Sequence, residues 1–391
     1  MACLIVRNIG RLTTWDGPVI EHGAVVIREG LVQWTGRDNE IPLQDGVEVD
    51  EYDAMGAAVL PGWVDSHTHS IWAGNRREDF IGRVSGGDYS PHGINSTVEA
   101  TRSASYDELL ALATERLVEM REQGTTTVEI KSGYGLTPGD EVQLLTVAKQ
   151  AGERVGIDAA TTYLGAHVVP AGRDRTDYVD EVVNTLPAAV DAGAQWCDVF
   201  CDDGAFTVDE ARRILTAART HGLGLRIHAE QLAHTGAAQL AAELGCASAD
   251  HLDFVTADDA RALAAAGVVA TLVPVTSLYA RTMRWGHAAT LRDAGCTLAI
   301  ATDCNPGTAW CESMPYALQL ACLAMGLDVE TTLRAATLGG AAALGRTDVG
   351  HLRPGARGNL VVLHADHEAD ALGHLGMDAV IQTVVDGQPI G

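Results

Sequence analysis

The sequence predicts an α/β protein: a (β/α)8 TIM-like barrel with a small β-sandwich domain formed by both termini. Three observations carry that expectation. Eight apolar, β-branched segments alternate with helical patterns through the middle of the chain. Both ends are rich in short strand patterns and turn signals. Finally, polar residues that can do chemistry gather at the C-terminal ends of the eight segments, the face of such a barrel where function sits.

At the amino end, Ala24-Val25-Val26-Ile27-Arg28 and Leu31-Val32-Gln33-Trp34 flank Glu29-Gly30, a hairpin signal. The barrel strands then follow at 59–69, 125–131, 159–167, 196–201, 223–228, 247–252, 268–273 and 297–303. Between them the period is helical: Ala211, Ile214, Leu215 and Ala218 recur after Asp209-Glu210, acidic residues suited to a helix start. At the carboxyl end, 359–363 and 380–385 read as strands, the second running into Asp386-Gly387. The expected domains are therefore 1–57 plus 350–391 for the small β unit and 58–349 for the barrel.

Placement of the polar residues tests this layout. Strand one ends in His67-Thr68-His69, strand three in His167, strand five in His228, strand six in His251 and strand eight in Asp303, while strand two runs into Ser132-Gly133-Tyr134. Two residues apart on a strand, His67 and His69 point the same way and can converge on one ion. His228 and Asp303 complete a set of N and O donors that leaves room for water, the composition of a catalytic metal site. One divalent or trivalent ion per chain is expected; zinc suits these donors, and iron or manganese fits them by type. Such an ion activates water near neutral pH. Asp303 is expected to act also as general base, and His251 to orient the water and stabilise the oxygen of an attacked carbonyl.

Composition narrows the partners. Among 391 residues, 27 basic stand against 52 acidic, a net of −25. A field this negative repels phosphate backbones and anionic lipid, so nucleic acid and membrane are not expected partners. An anionic small-molecule substrate would need a local cation. The opening residues lack a leader pattern, and the apolar run 267–275 is of strand length, not membrane length. The eight cysteines are scattered without a framework spacing, which suits a reducing, cytoplasmic setting. Cys197 and Cys201 share a strand face and read as buried thiols, not as a ligand pair.

Leu60-Pro61-Gly62-Trp63-Val64-Asp65-Ser66-His67-Thr68-His69 resembles the first-strand signature of the amidohydrolase superfamily. Further stretches are similar to the imidazolonepropionase family within it: Ala73-Gly74-Asn75-Arg76, Lys131-Ser132-Gly133-Tyr134-Gly135-Leu136, Leu164-Gly165-Ala166-His167, Ser248-Ala249-Asp250-His251, and Ala301-Thr302-Asp303-Cys304-Asn305-Pro306-Gly307. This resemblance implies hydrolysis of 4-imidazolone-5-propanoate to N-formimidoyl-L-glutamate in histidine breakdown, by a homodimer. It also implies substrate-binding roles. Arg76 would grip the propanoate, Tyr134 would hydrogen-bond the carboxylate or ring, His167 would face the ring near the metal, and Asn305, Gly307 and Thr308 would cradle the amino-acid end.

Two departures stand out. Gln231 occupies the position three residues after the third histidine, where many relatives carry glutamate. A glutamine cannot donate a proton as that acid does, so Gln231 is read as substrate-binding, with a part for neighbouring Glu230 in proton transfer left open. Ser90-Pro91-His92-Gly93 replaces a glycine-rich run and bears on selectivity. Two rival readings remain at this point. One is another cyclic-amide hydrolase or ring deaminase with the same metal set; the other is an inactive scaffold of the same fold.

Overall fold

The computed structural model describes residues 3–42, 46, 48–86 and 93–390. Sixteen strands among them form two sheets of eight. The first sheet gathers both termini. From the amino end it takes β1 (Cys3–Leu12), β2 (Ile20–Arg28), β3 (Leu31–Arg37), β4 (Val49–Asp53) and β5 (Ala58–Pro61). The second sheet, the barrel, runs in chain order: β6 (Trp63–Asp65), β7 (Thr125–Lys131), β8 (Asp158–Ala166), β9 (Trp196–Cys201), β10 (Gly224–Ala229), β11 (Ser248–His251), β12 (Val269–Leu272) and β13 (Leu298–Ile300). From the carboxyl end β14 (Leu360–Leu363), β15 (Val380–Val385) and β16 (Gln388–Ile390) return to the first sheet through β14, which pairs with β5.

The terminal sheet is one hydrogen-bonded sheet folded over its own core. The pairing of β1 with β2 slips between Val6 and Ile9. β4 pairs with the first half of β1, and β5 with its last two residues. Leu4, Val6, Val25 and Ile27 thereby meet Val59, Leu360, Val362 and Val384 in a single buried cluster, which gives the unit its two layers.

In the barrel every neighbouring pair is parallel. Cys197, Val199 and Cys201 turn outward into the core between sheet and helices, so the two thiols are packing residues. The expected helix with Ala211, Ile214, Leu215 and Ala218 buried spans Val208–Thr220, and its capping box is made by Thr207 and Glu210.

The first expected strand, 59–69, differs. Ala58–Pro61 belongs to the terminal sheet, and after Gly62 the chain crosses to the barrel for only three residues. Beyond Asp65 the backbone leaves strand geometry but still closes the barrel against the last strand. Asp303 N donates to His67 O at 3.0 Å, His69 N donates to Cys304 O at 2.9 Å, and Thr302 donates its N–H and hydroxyl to the Asp65 carboxylate. The seam of the barrel and the predicted metal ligands are thus the same stretch of chain. Behind the seam lies Val329–Arg334, continued by a π turn at Ala335–Gly339 and by Gly340–Ala343. A Cβ on Gly340 would stand 2.2 Å from Val64 O and one on Gly339 would stand 1.9 Å from Leu298 O, so only glycines let this segment close on the first and last strands.

Candidate metal centre and substrate pocket

His67 and His69 leave the end of β6, His228 points in from β10, and Asp303 lies three residues past β13. His67 Nε2 and His69 Nε2 each lie 3.4 Å from Asp303 Oδ1, and His228 Nε2 lies 3.4 Å from His69 Nε2. The edge of a tetrahedron is about 1.6 times its centre-to-vertex distance, so ligand bonds of about 2.1 Å need donors about 3.4 Å apart. His67 Nε2 and Asp303 Oδ1 are fully buried without a hydrogen-bond partner among the described residues, a cost that a shared cation removes. The donor set fits a divalent ion.

The far sides of two of the rings face carboxylates. Asp250 Oδ2 lies 2.7 Å from His67 Nδ1, and Asp198 Oδ2 lies 3.0 Å from His228 Nδ1. A carboxylate there draws the proton to Nδ1 and leaves the Nε2 lone pair facing the cluster. Below them, Lys131 Nζ sits 2.7 Å from both Glu129 and Asp198, and Arg226 lies 3.5 Å from Asp250 and 3.7 Å from Glu129. With Asp303, this buried network sets four carboxylates against two cations. The excess is the charge a divalent ion supplies.

Glu129, Lys131, Asp198, Arg226 and Asp250 were not singled out as site residues by the sequence reading. The available signal was charge at alternate, inward positions of otherwise apolar strands. Burial pushes His251 down to about 4 despite the raising effect of Asp303, and it holds His69 and His228 below the usual histidine range. His67 departs from them: against burial and Lys131, the carboxylates of Asp250 and Asp303 raise it to about 9, a proton that a cation at Nε2 would displace. Neutral imidazole is the form that ligates metal.

Above this floor opens a pocket bordered by His69, Arg76, Tyr134, His167, His228, Gln231, His251, Asp303, Asn305, Gly307 and Thr308, with His67 beneath it. Every site residue expected from the sequence therefore comes to one place. Ile94 and Phe200 also line it and were missed. Phe200 is the inward residue that follows Asp198 on β9, whereas Ile94 opens a helix inside the first connection and carries no sequence mark.

His167 stacks on His69 with centroids 5.1 Å apart, and its Nδ1–H donates to Gly133 O at 2.9 Å. Nε2 is therefore an acceptor facing the pocket, and burial keeps the ring neutral down to about 3. Arg76, buried at the N-cap of Arg77–Val84, pairs with Asp79. A Cβ on Gly93 would fall 1.9 Å from Arg76 Nη2, so glycine there gives the guanidinium its space. Of the expected selectivity loop only Gly93 can be placed; Ser90, Pro91 and His92 lie outside the described residues.

Three loop details refine the expected roles. Asn305 spends its amide on its own loop, with Oδ1 accepting from Gly307 N and Thr308 N and Nδ2 donating to Asp303 O and Thr308 Oγ1. It shapes the cradle in place of reaching into it. Glu230, at a left-handed φ of 54°, turns away from the pocket and accepts from the backbone N–H of Thr235, Gly236 and Ala238. That leaves Asp303 the one carboxylate on the pocket wall among the described residues. Thr276, not anticipated, donates its hydroxyl to Asp303 Oδ2 at 2.5 Å. His251 sits at φ 77° with Leu252 at 65°, a sparsely populated turn that aims its ring at the cluster, 5.1 Å from His228.

The sequence pattern of the amidohydrolase family matches residues 58–390. An imidazolonepropionase from Salinispora arenicola is 45% identical, with 100% of this chain and 99% of that protein covered. The chain belongs to the amidohydrolase family, among the imidazolonepropionases. A second imidazolonepropionase, from Saccharopolyspora erythraea, is 44% identical over 94% of each chain. The amidohydrolase fold extends further: an atrazine chlorohydrolase from Arthrobacter aurescens TC1, solved with zinc and atraton, superposes with a TM-score of 0.77 at 19% identity, covering 99% of this chain and 94% of that one. That likeness speaks to fold alone. Among the described residues no helix is long and apolar enough to cross a membrane.

Proposed function

We propose that this amidohydrolase opens the ring of 4-imidazolone-5-propanoate to give N-formimidoyl-L-glutamate. One observation supports that reading above the others: two triads of metal-type donors that share His67 (His67, His69 and His228; His67, His251 and Asp303) and an arginine meet at the same pocket, as an anionic ring amide requires. His67, His69, His228 and Asp303 would hold the ion, with zinc the best match to three imidazoles and a carboxylate and iron the alternative. When bound, it supplies Lewis acidity and an acidified water.

The chain's own residues do the rest. Arg76 holds the propanoate through its planar fork. The acceptor Nε2 of His167 takes a ring N–H, and the Gln231 amide pairs with the ring edge. Tyr134 closes the side of the pocket next to His167, 5.4 Å between ring centroids. Asp303 takes the proton from the attacking water and passes it to the departing ring nitrogen as the C–N bond breaks. His251, neutral, steadies charge on the carbonyl oxygen. Asn305, Gly307 and Thr308 form the cradle for the other end of the substrate.

Eight cysteines scattered without a framework spacing suit the cytoplasmic setting proposed with this activity. The proposed assembly is a homodimer, which sedimentation of the purified protein tests. The activity is tested by supplying metal-loaded protein with freshly generated 4-imidazolone-5-propanoate. Loss of the ring chromophore with formimidoylglutamate and no ammonia is the expected result. Ammonia release would point to a ring deaminase, and no turnover by folded, metal-loaded protein would sink the substrate assignment.

A further inference from the structure

Helix Arg77–Val84 inverts the usual burial rule. Its apolar residues Phe80, Ile81 and Val84 are exposed, at 44%, 47% and 58%, while the one buried residue is an arginine, Arg83, at 5%. Burying a guanidinium costs free energy unless it makes specific contacts. Arg83 makes them with the far wall of the pocket. Its Nη2 donates to Gly307 O at 2.6 Å, and its guanidinium lies 4.7 Å over the Tyr279 ring. Its backbone carbonyl in turn accepts from Arg281 Nη1 at 2.9 Å.

Arg76 faces the same residue, since a Cβ built on Gly307 would sit 3.1 Å from Arg76 Nη1. Arg76 occupies the N-cap of this helix and Arg83 its last turn. The two ends of one helix therefore meet the same glycine of the loop after Asp303. We infer that Arg83 is a positioning residue for anion recognition: it pins the helix and the Gly307 loop together so that Arg76 presents its fork to the substrate carboxylate. The inference rests on the ring-opening reading only in taking that carboxylate as the group Arg76 holds.

The test uses full-length, metal-loaded protein and the variants Arg83→Met and Arg83→Lys. Two probes share a ring and differ in the acid: 3-(imidazol-4-yl)propanoate and 4-methylimidazole, with Kd read by calorimetry. Arg83→Met should weaken the acid-bearing probe by roughly tenfold or more and leave 4-methylimidazole within about twofold. KM for the imidazolone should rise in step, with kcat changed by less than about threefold, and lysine should restore part of the loss.

Equal weakening of both probes, or a fall in kcat at unchanged KM, would overturn the inference. Should Arg83→Met fail to fold, Tyr279→Leu removes the ring beneath the guanidinium at a half-buried position. It should show the same acid-selective loss at smaller size, and its absence would equally overturn the inference. If the wild type fails to open the imidazolone yet Arg83→Met still weakens only the acid-bearing probe, the substrate reading falls and the positioning role stands.

Discussion

The floor of the pocket and its rim are built on opposite plans. On the floor, His67, His69, His228 and Asp303 stand at strand ends and the barrel seam, and buried carboxylates orient two of them, Asp250 on His67 and Asp198 on His228, with the ion pairs of Lys131 and Arg226 beneath. On the rim, Tyr134, Gln231 and the residues after Asn305 ride on loops, each tied by one buried polar side chain that collects backbone amides. Glu141 accepts from Gly133, Gly135 and Leu136, and Asp202 accepts from Gln231, Leu232 and Ala233. Side-chain charge holds the chemistry, whereas backbone hydrogen bonding holds the recognition surface. Changes to the floor should therefore be read in metal content and kcat, and changes to the rim in KM.

The largest effect should come from Asp303→Asn. Losing the anionic donor and the proton acceptor together should cut turnover by roughly 10³-fold or more, with metal content falling in parallel. Retained metal with retained activity would break the distinction outright. Next comes Asp198→Asn, which leaves the amide shape but no longer fixes the His228 tautomer. Metal affinity, measured by competition with a chelator, should weaken by about 10–100-fold while probe binding to reloaded protein stays near normal. On the rim, Glu141→Gln should do the reverse. The Tyr134 loop loses its charged acceptor, so KM should rise about tenfold with metal content unchanged. Loss of metal in that variant would show that rim and floor are not separable.

The same division explains what could be read in the sequence. His67-Thr68-His69, His228, His251 and Asp303 were legible because donors at strand ends stand out against apolar strands. The barrel followed from the eight strand–helix alternations that place them. Thr276 was invisible, because a threonine opening a short helix at Pro274–Tyr279 has no pattern that marks it as a partner of Asp303. The ion-pair network was half legible. Glu129-Ile130-Lys131 alternates as an inward pair should, but pairing across β7, β9, β10 and β11 depends on the radius and register of the closed barrel. Strand one was misjudged in length because β5 and β6 read as one apolar run, and only sheet pairing shows the crossing at Gly62.

The smallest effect on catalysis is expected at the residue with the most suggestive position. Glu230 lies between the proposed ligand His228 and the pocket residue Gln231 in sequence, and a carboxylate there invites a proton-transfer role. Its oxygens instead receive the Thr235, Gly236 and Ala238 amides at 2.6, 3.0 and 3.1 Å, at the start of the helix Ala237–Leu244. Three hydrogen bonds from backbone donors hold its carboxyl group in place and give it no free edge toward the substrate. Glu230→Gln keeps the volume but turns an amide N–H toward donors, so stability should fall by about 1–3 kcal/mol in denaturant titrations. Below the new unfolding transition, kcat should stay within about threefold and the pH profile should keep its shape. A profile that loses one limb in this variant would instead place Glu230 in the proton path, and with it part of the chemistry on a rim loop.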